Sequence, residues 1–223
     1  MTRPLMIFAA GRGTRMGALT KDRPKPMVEV AGRPLIDHAI AAGRAAGCAP
    51  IVANTHYLAD RIEPHLAASG IAVSPEPDRL LDTGGGLAHA LPLLGPGPVF
   101  TLNSDALWTG PNPLSTLEAA WDGGAALLLC VPRARATGRE GPGDFAMDAA
   151  GRLTRGGDLV YTGAQIIDPA VLEDETEAVF SLSRVWTRLA ERGALRGVVH
   201  PGGWADVGHP GGIALAEDML ARV

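Results

Sequence analysis

Short apolar runs alternate with amphipathic stretches through the first 131 residues. Leu5–Ala10 is a continuous apolar run bounded by Pro4 and Gly11, the pattern of a strand buried on both faces. Pro34–Gly47 follows, with Leu35, Ile36, Ala39 and Ile40 on one helical face and a proline at its opening. The same reading predicts strands over Ile51–Asn54, Ile71–Ser74, Val99–Leu102 and Ala125–Val131. It predicts helices over Leu58–Ala68, Gly85–Leu94 and Leu114–Trp121. Strands alternating with helices imply βαβ units. The expected fold is α/β and Rossmann-like, with a mixed, mostly parallel sheet flanked by helices. Ligands of such sheets lie beyond the carboxyl ends of the strands.

After Val131 the pattern changes. Arg133–Gly143 is polar and glycine-rich and reads as a mobile loop. Asp144–Met147 and Arg152–Thr154 flank a turn-like Asp148–Gly151 and predict a hairpin. Tyr161–Ile167 reads as a strand, Leu182–Arg192 as a helix and Ile213–Leu220 as a closing helix. No segment repeats, no hexapeptide period marks a β-helix tail, and no linker divides the chain. One domain over residues 1–223 is expected, built from halves 1–131 and 132–223.

Composition narrows the partners. The 223 residues are 46% hydrophobic, enough for a packed core, yet no apolar run approaches a membrane span. The first apolar run ends in Gly-Arg-Gly, which does not fit a secretory signal. A net charge of −4 argues against nucleic acid, whose binding needs a basic face, but leaves room for nucleotides. Cys48 and Cys130 sit among small and apolar residues and read as buried thiols of a reducing, cytoplasmic setting. The six histidines are scattered, so no zinc site is expected.

The densest chemistry follows the first strand. Ala10-Gly11-Arg12-Gly13-Thr14-Arg15 offers glycines that admit a ligand to the backbone, and amides that can cradle phosphate oxygens. Arg15 adds a fork for phosphate. Pro24-Lys25-Pro26 mounts an ammonium stiffly, and the following proline predicts an extended Lys25. A Walker loop and a dinucleotide fingerprint are both excluded, because each needs a glycine where Met16 stands. Downstream, Asp82-Thr83-Gly84-Gly85-Gly86 precedes a predicted helix, and its free amides suit the carbonyls of a planar base. Asp105 ends a buried strand, either as an Asx-type turn cap or as a ligand for a hard cation.

Ala9-Ala10-Gly11-Arg12-Gly13-Thr14-Arg15-Met16 with Pro24-Lys25-Pro26 resembles the signature of sugar-1-phosphate nucleotidyltransferases, and Trp204-Ala205-Asp206-Val207-Gly208 resembles a later motif of that family. The likeness runs from the first strand to Gly208 and is strongest to the branch that uridylylates N-acetylmuramate 1-phosphate in cell-wall sugar recycling. It implies transfer of UMP from UTP to that sugar 1-phosphate, with residues 1–131 holding nucleotide and 132–223 the acceptor. It makes Arg15 and Lys25 catalytic, and Asp105 and Asp206 ligands of Mg2+. The nucleotide contacts carried over are Ala10, Gly11, Arg12, Gly13, Thr14, Glu76, Thr83, Gly84, Gly85 and Asp105, with Glu76 helping to set the base.

Asn54, Asp144 and Gly163 are the implied sugar-phosphate contacts. The family usually places glycine before the first aspartate, and here it is Ser104. His56 and Trp204 read as structural, and Arg133, Arg135 and Arg139 as solvated charges. Alternatives are the same reaction on glucose, mannose or heptose 1-phosphate or phosphocholine, and a nucleotide-sugar sensor without turnover. Lacking a repeat tail, the chain loses one route to trimers, which leaves a homo-oligomer through other surfaces open.

Overall fold

The computed structural model describes residues 2–222. Strands β1 (Leu5–Phe8), β4 (Ile51–Thr55), β5 (Ala72–Pro75) and β6 (Val99–Asn103) form the parallel half of the main sheet, in the order β6-β1-β4-β5. β12 (Leu159–Ile167) runs antiparallel to β6 and, on its other edge, to β8 (Ala126–Pro132). β13 (Leu195–Val199) adds parallel to β8, and the hairpin of β10 (Phe145–Met147) and β11 (Leu153–Arg155) adds beside the start of β12. Of these nine strands, β12 and β11 run against the other seven, so the sheet is mixed and mostly parallel as expected.

Strand side chains alternate between two cores. Leu5 and Ile7 of β1 face α1 (Leu35–Ala45), α2 (Ala59–Ala68) and α4 (Pro113–Ala120). Met6 faces the opposite core with α3 (Asp82–Leu94) and α5 (Leu182–Glu191). Local chemistry sets the helix starts. Asn112 caps α4 by accepting the N–H groups of Leu114 and Ser115 at 2.9 and 3.2 Å, with Pro113 at the first helical position. Both cysteines are buried, and burial pushes the Cys48 thiol up to about 11.

The largest departures from the expected elements are small strands. β2 (Glu29–Val30) and β3 (Arg33–Pro34) make a short hairpin turned by Ala31 and Gly32, both at positive φ. β7 (Ala106–Trp108), β9 (Ala136–Thr137) and β14 (Trp204–Asp206) form a separate sheet in the order β7-β14-β9. Arg133–Gly143 is therefore not a free loop: it holds a 3-10 turn and β9. Arg133 donates to the Gly141 carbonyl, and Arg135 to the carbonyls of Pro201 and His200. α6 (Pro210–Leu220) closes over a third cluster in which Met16 and Val28 meet Leu107, Ala205 and Val207. That cluster ties the loop after β1 to the strand that carries Asp206.

Candidate active site

The loop after β1 is fixed at both ends. Asn54, at 3% exposure on β4, accepts the Ala9 N–H at 2.8 Å through Oδ1 and donates to Glu76 at 2.7 Å. Gly13 has φ 60°, and a Cβ there would meet Lys25 Cβ at 2.7 Å, so only glycine lets the loop lie on the lysine stem. Among the described residues the N–H groups of Gly11, Arg12 and Gly13 have no protein acceptor. Lys25 is not extended as its sequence setting predicts. It opens a 3-10 turn, because the N–H groups of Met27 and Val28 close on the carbonyls of Pro24 and Lys25, each at 2.9 Å. Those two bonds outweigh the steric preference of a residue before proline. The turn drives the ammonium inward: Lys25 is 8% exposed, and Nζ lies 2.5 Å from Asp105 Oδ2.

Asp105 stands between β6 and β7, and backbone pairing brings Asp206 beside it. Asp206 lies across from Ala106, and the Val207 N–H donates to the Asp105 carbonyl at 2.9 Å. Burial, and then the charge of Asp105, hold the Asp206 carboxyl above the usual carboxylate range, against the pull of Lys25, Arg15 and Arg139. The Arg15 guanidinium rests over Gly208, where an added Cβ would lie 3.0 Å from its nitrogens and 3.1 Å from Asp206 Oδ1. Two adjacent carboxylates, one resisting its own charge, make a hard-oxygen pair that fits a divalent cation. No third histidine, cysteine or acid joins them among the described residues. Phosphate oxygens and water would complete the shell, as suits Mg2+.

Two cavities meet at this point. One, of about 310 Å³, is walled by Ala9–Gly11, Gly13–Arg15, Lys25, Asn54 and Thr83. The other, of about 270 Å³, opens where β12 runs on past the end of β6. Arg15, Asn103 and Asp105 line both. Gly163 lines the second at a bulge of β12; its φ is 88° and an added Cβ would lie 2.8 Å from Asn103 Cβ, so the position requires glycine. Asp144 also lines it, accepting from Arg139 at 3.0 Å and from the Tyr161 N–H at 2.9 Å. Arg139 is thus held in an ion pair rather than free in solvent. Trp204 is buried and donates to the Thr162 carbonyl at 2.8 Å.

Several residues singled out in the sequence lie elsewhere. α3 starts at Asp82 rather than at Gly85, so Gly84 and Gly85 both lie inside its first turn, and both N–H groups donate to the Phe180 carbonyl at 2.9 and 3.1 Å. A Cβ on Gly85 would lie 2.2 Å from the Ala178 carbonyl oxygen. These glycines serve close packing, and the amides expected to be free for a base are taken. Glu76, at 2% exposure, accepts from Asn54 and from the Leu81 N–H at 2.8 Å, and lines neither cavity. Asn54, expected as a sugar-phosphate contact, lines the first cavity and not the second, where Asp144 and Gly163 lie. The Arg12 side chain lies apart, in a depression with Lys21 and Tyr57. His56 bonds the Glu76 carbonyl at 2.7 Å. Sequence reasoning missed Asn103, Arg155 and Trp186. Only the Leu-Asn-Ser-Asp run that ends β6 carried a signal, for Asn103.

Unpaired amides beside a buried lysine and two coupled carboxylates suit one class of work: holding a triphosphate while its α-phosphorus changes partners. Comparison with known proteins agrees, and the chain is a nucleotidyltransferase. Residues 5–210 match the model of the MobA-like NTP transferase domain, and the chain belongs to that family. It is 42% identical over 234 residues to N-acetylmuramate alpha-1-phosphate uridylyltransferase of Caulobacter vibrioides, covering 97% of this chain and 96% of that protein. The Neisseria meningitidis protein of the same name is 35% identical, over 91% of this chain and 92% of its own. Among solved structures, the inositol-1-phosphate CTP transferase from T. maritima superimposes with TM-score 0.80 at 18% identity, over 100% of this chain and 98% of that one, and so shares the fold.

Proposed function

We propose that this chain transfers the uridylyl group of UTP to N-acetylmuramate 1-phosphate, releasing pyrophosphate and forming the nucleotide-sugar used in cell-wall sugar recycling. The observation that carries the reading is the junction of two cavities at Arg15, Asn103 and Asp105. A triphosphate in one and a sugar phosphate in the other would meet there. The first cavity is built mainly from residues 1–131 and the second draws on residues 132–223, which supports a donor half and an acceptor half. The 42% identity over nearly the whole chain supports the uridylyl and muramate assignments.

In this reading an oxygen of the acceptor phosphate forms the new bond to the α-phosphorus. The bond from that phosphorus to its bridging oxygen breaks, and pyrophosphate leaves with the electron pair. The acceptor phosphate is already ionised at neutral pH, so no general base is required. Catalysis reduces to positioning and charge neutralisation. The amides of Gly11 and Gly13 and the Arg15 fork hold the leaving phosphates. Lys25 offsets charge that builds at the α-phosphoryl group. Asp105 and Asp206 would hold Mg2+, which supplies charge neutralisation on the phosphate oxygens when bound. The working setting is the cytoplasm, with no nucleic acid or membrane partner.

The test is Mg2+-dependent pyrophosphate release, with four nucleoside triphosphates crossed against N-acetylmuramate, glucose, mannose and heptose 1-phosphates and phosphocholine. Release confined to UTP with the muramate ester, and abolished in Asp105→Asn, is the expected outcome. Release with another acceptor keeps the chemistry and moves the substrate. Nucleotide binding without release from any pair overturns the enzyme reading in favour of a sensor.

A further inference from the structure

We infer that Arg155 reads a carboxylate on the acceptor and so selects a sugar 1-phosphate that carries an acid group on its ring. The inference rests on the proposed function, since it takes the second cavity as the acceptor site. Arg155 lines that cavity from the end of β11. Its guanidinium carbon lies 4.8 Å from the Phe145 ring centroid and 6.0 Å from that of Trp186, so its plane is set by aromatic faces. Nε donates to Thr187 Oγ1 at 3.1 Å, and Nη2 to the Ser183 carbonyl at 2.5 Å, Ser183 Oγ at 2.8 Å and Thr187 Oγ1 at 3.0 Å, which fixes the group and occupies both nitrogens. Among the described residues Nη1 has no protein acceptor, and Arg155 has no carboxylate within ion-pair distance. Asp144, the acid whose field reaches it, is committed to Arg139 and the Tyr161 N–H.

A guanidinium held in place on the wall of a substrate cavity, with Nη1 left unpaired, is arranged to receive an anion. In the proposed function the acceptor phosphate is claimed by Arg15 and by the cation that Asp105 and Asp206 would hold, and these residues all line this cavity. The anion left for Arg155 is therefore a second one on the same substrate. A carboxylate oxygen can accept from Nη1 and pair with the charge, and the lactyl acid that distinguishes N-acetylmuramate from N-acetylglucosamine is such a group.

The experiment compares calorimetric binding of N-acetylmuramate 1-phosphate and N-acetylglucosamine 1-phosphate to enzyme loaded with a non-reactive UTP analogue. It is run on the native chain, Arg155→Met and Arg155→Lys. The expected result is a native preference for the muramate ester that falls about tenfold to a hundredfold in Arg155→Met and is partly kept by Arg155→Lys. Equal native binding of the two esters, or a preference that survives in Arg155→Met, overturns the inference. Native turnover of the muramate ester, measured separately, decides the function whichever way the binding ratio falls. Methionine keeps the apolar stem over Phe145, and a native melting temperature in each variant excludes a general loss of fold.

Discussion

Lys25 and Asp105, 80 residues apart in the chain, share an ion pair of 2.5 Å at the junction of the two cavities. The lysine stem is pinned under Gly13, so its charge cannot swing away when phosphates arrive. In the proposed function that charge would stand ready at the reacting phosphorus and contribute mainly to the transition state. Lys25→Ala should lower kcat by about a hundredfold to a thousandfold while nucleotide affinity changes much less. Steady-state kinetics beside a nucleotide titration separates the two, and an unchanged kcat removes Lys25 from the mechanism.

Glu76 acts as a buried brace. Its two oxygens accept from Asn54 and from the Leu81 N–H, and Asn54 in turn holds the Ala9 N–H at the root of the loop. Glu76→Ala leaves a buried donor on Asn54 and a part-buried one on Leu81 without partners and should cost about 2–4 kcal/mol. Urea unfolding measures this. A shift in base preference at unchanged stability would instead restore Glu76 to a role in reading the base.

Two glycines separate ligand approach from packing. Around Gly11 nothing lies within 4 Å of an added Cβ, and its φ is not positive, so Gly11→Ala should melt like the native chain. Because Gly11 lines the first cavity, the same change should raise the KM for nucleotide. Gly85→Ala should do the reverse, lowering the melting temperature because its Cβ meets the Ala178 carbonyl oxygen at 2.2 Å. Melting curves and nucleotide KM on both variants check the pair. A Gly11→Ala enzyme with native KM would mean that nothing approaches the backbone there.

The sequence made the long elements readable because β1 and β8 are apolar runs, β4, β6 and β12 are rich in apolar residues, and helices such as α1 carry one apolar face. It could not show β7, β9 and β14. Strands of two or three residues have no period, and their pairing depends on contacts across Trp108, Ala136 and Trp204. The start of α3 was hidden for another reason. The expected helix starts at Gly85 and the observed one at Asp82; glycine is a poor helix former, and Gly84 and Gly85 make sense inside a first turn only once Phe180 and Ala178 pack on them. Arg15, Lys25, Asp105 and Asp206 stood out because each falls in a dense motif, and the structure brings them together. Arg139 and Arg155 carry no such local signal. Asp144 meets Arg139 from five residues along the chain and Phe145 faces Arg155 across the β10–β11 hairpin, while Trp186 comes to Arg155 from α5 by tertiary packing.

Buried His200 makes stability depend on pH. Its Nε2 lies 3.1 Å from the Thr109 carbonyl oxygen, and its buried Nδ1 has no partner. Burial lowers its pKa below 6.5; the Thr109 carbonyl opposes that shift, and the Arg135 charge adds to it. Above pH 6.5 the imidazole is neutral in both folded and unfolded chains, and its contribution is fully present. As pH falls through 6.5 the unfolded chain takes up a proton that the folded one refuses, so stability drops until the folded pKa is passed. His38, also lowered chiefly by burial, acts with the same sign. His200→Gln keeps a donor for the Thr109 carbonyl and removes only the titration, while His38 remains in both proteins. Urea unfolding from pH 8 to pH 5 should show the native chain losing more stability than His200→Gln, and parallel profiles would exclude His200 as the source.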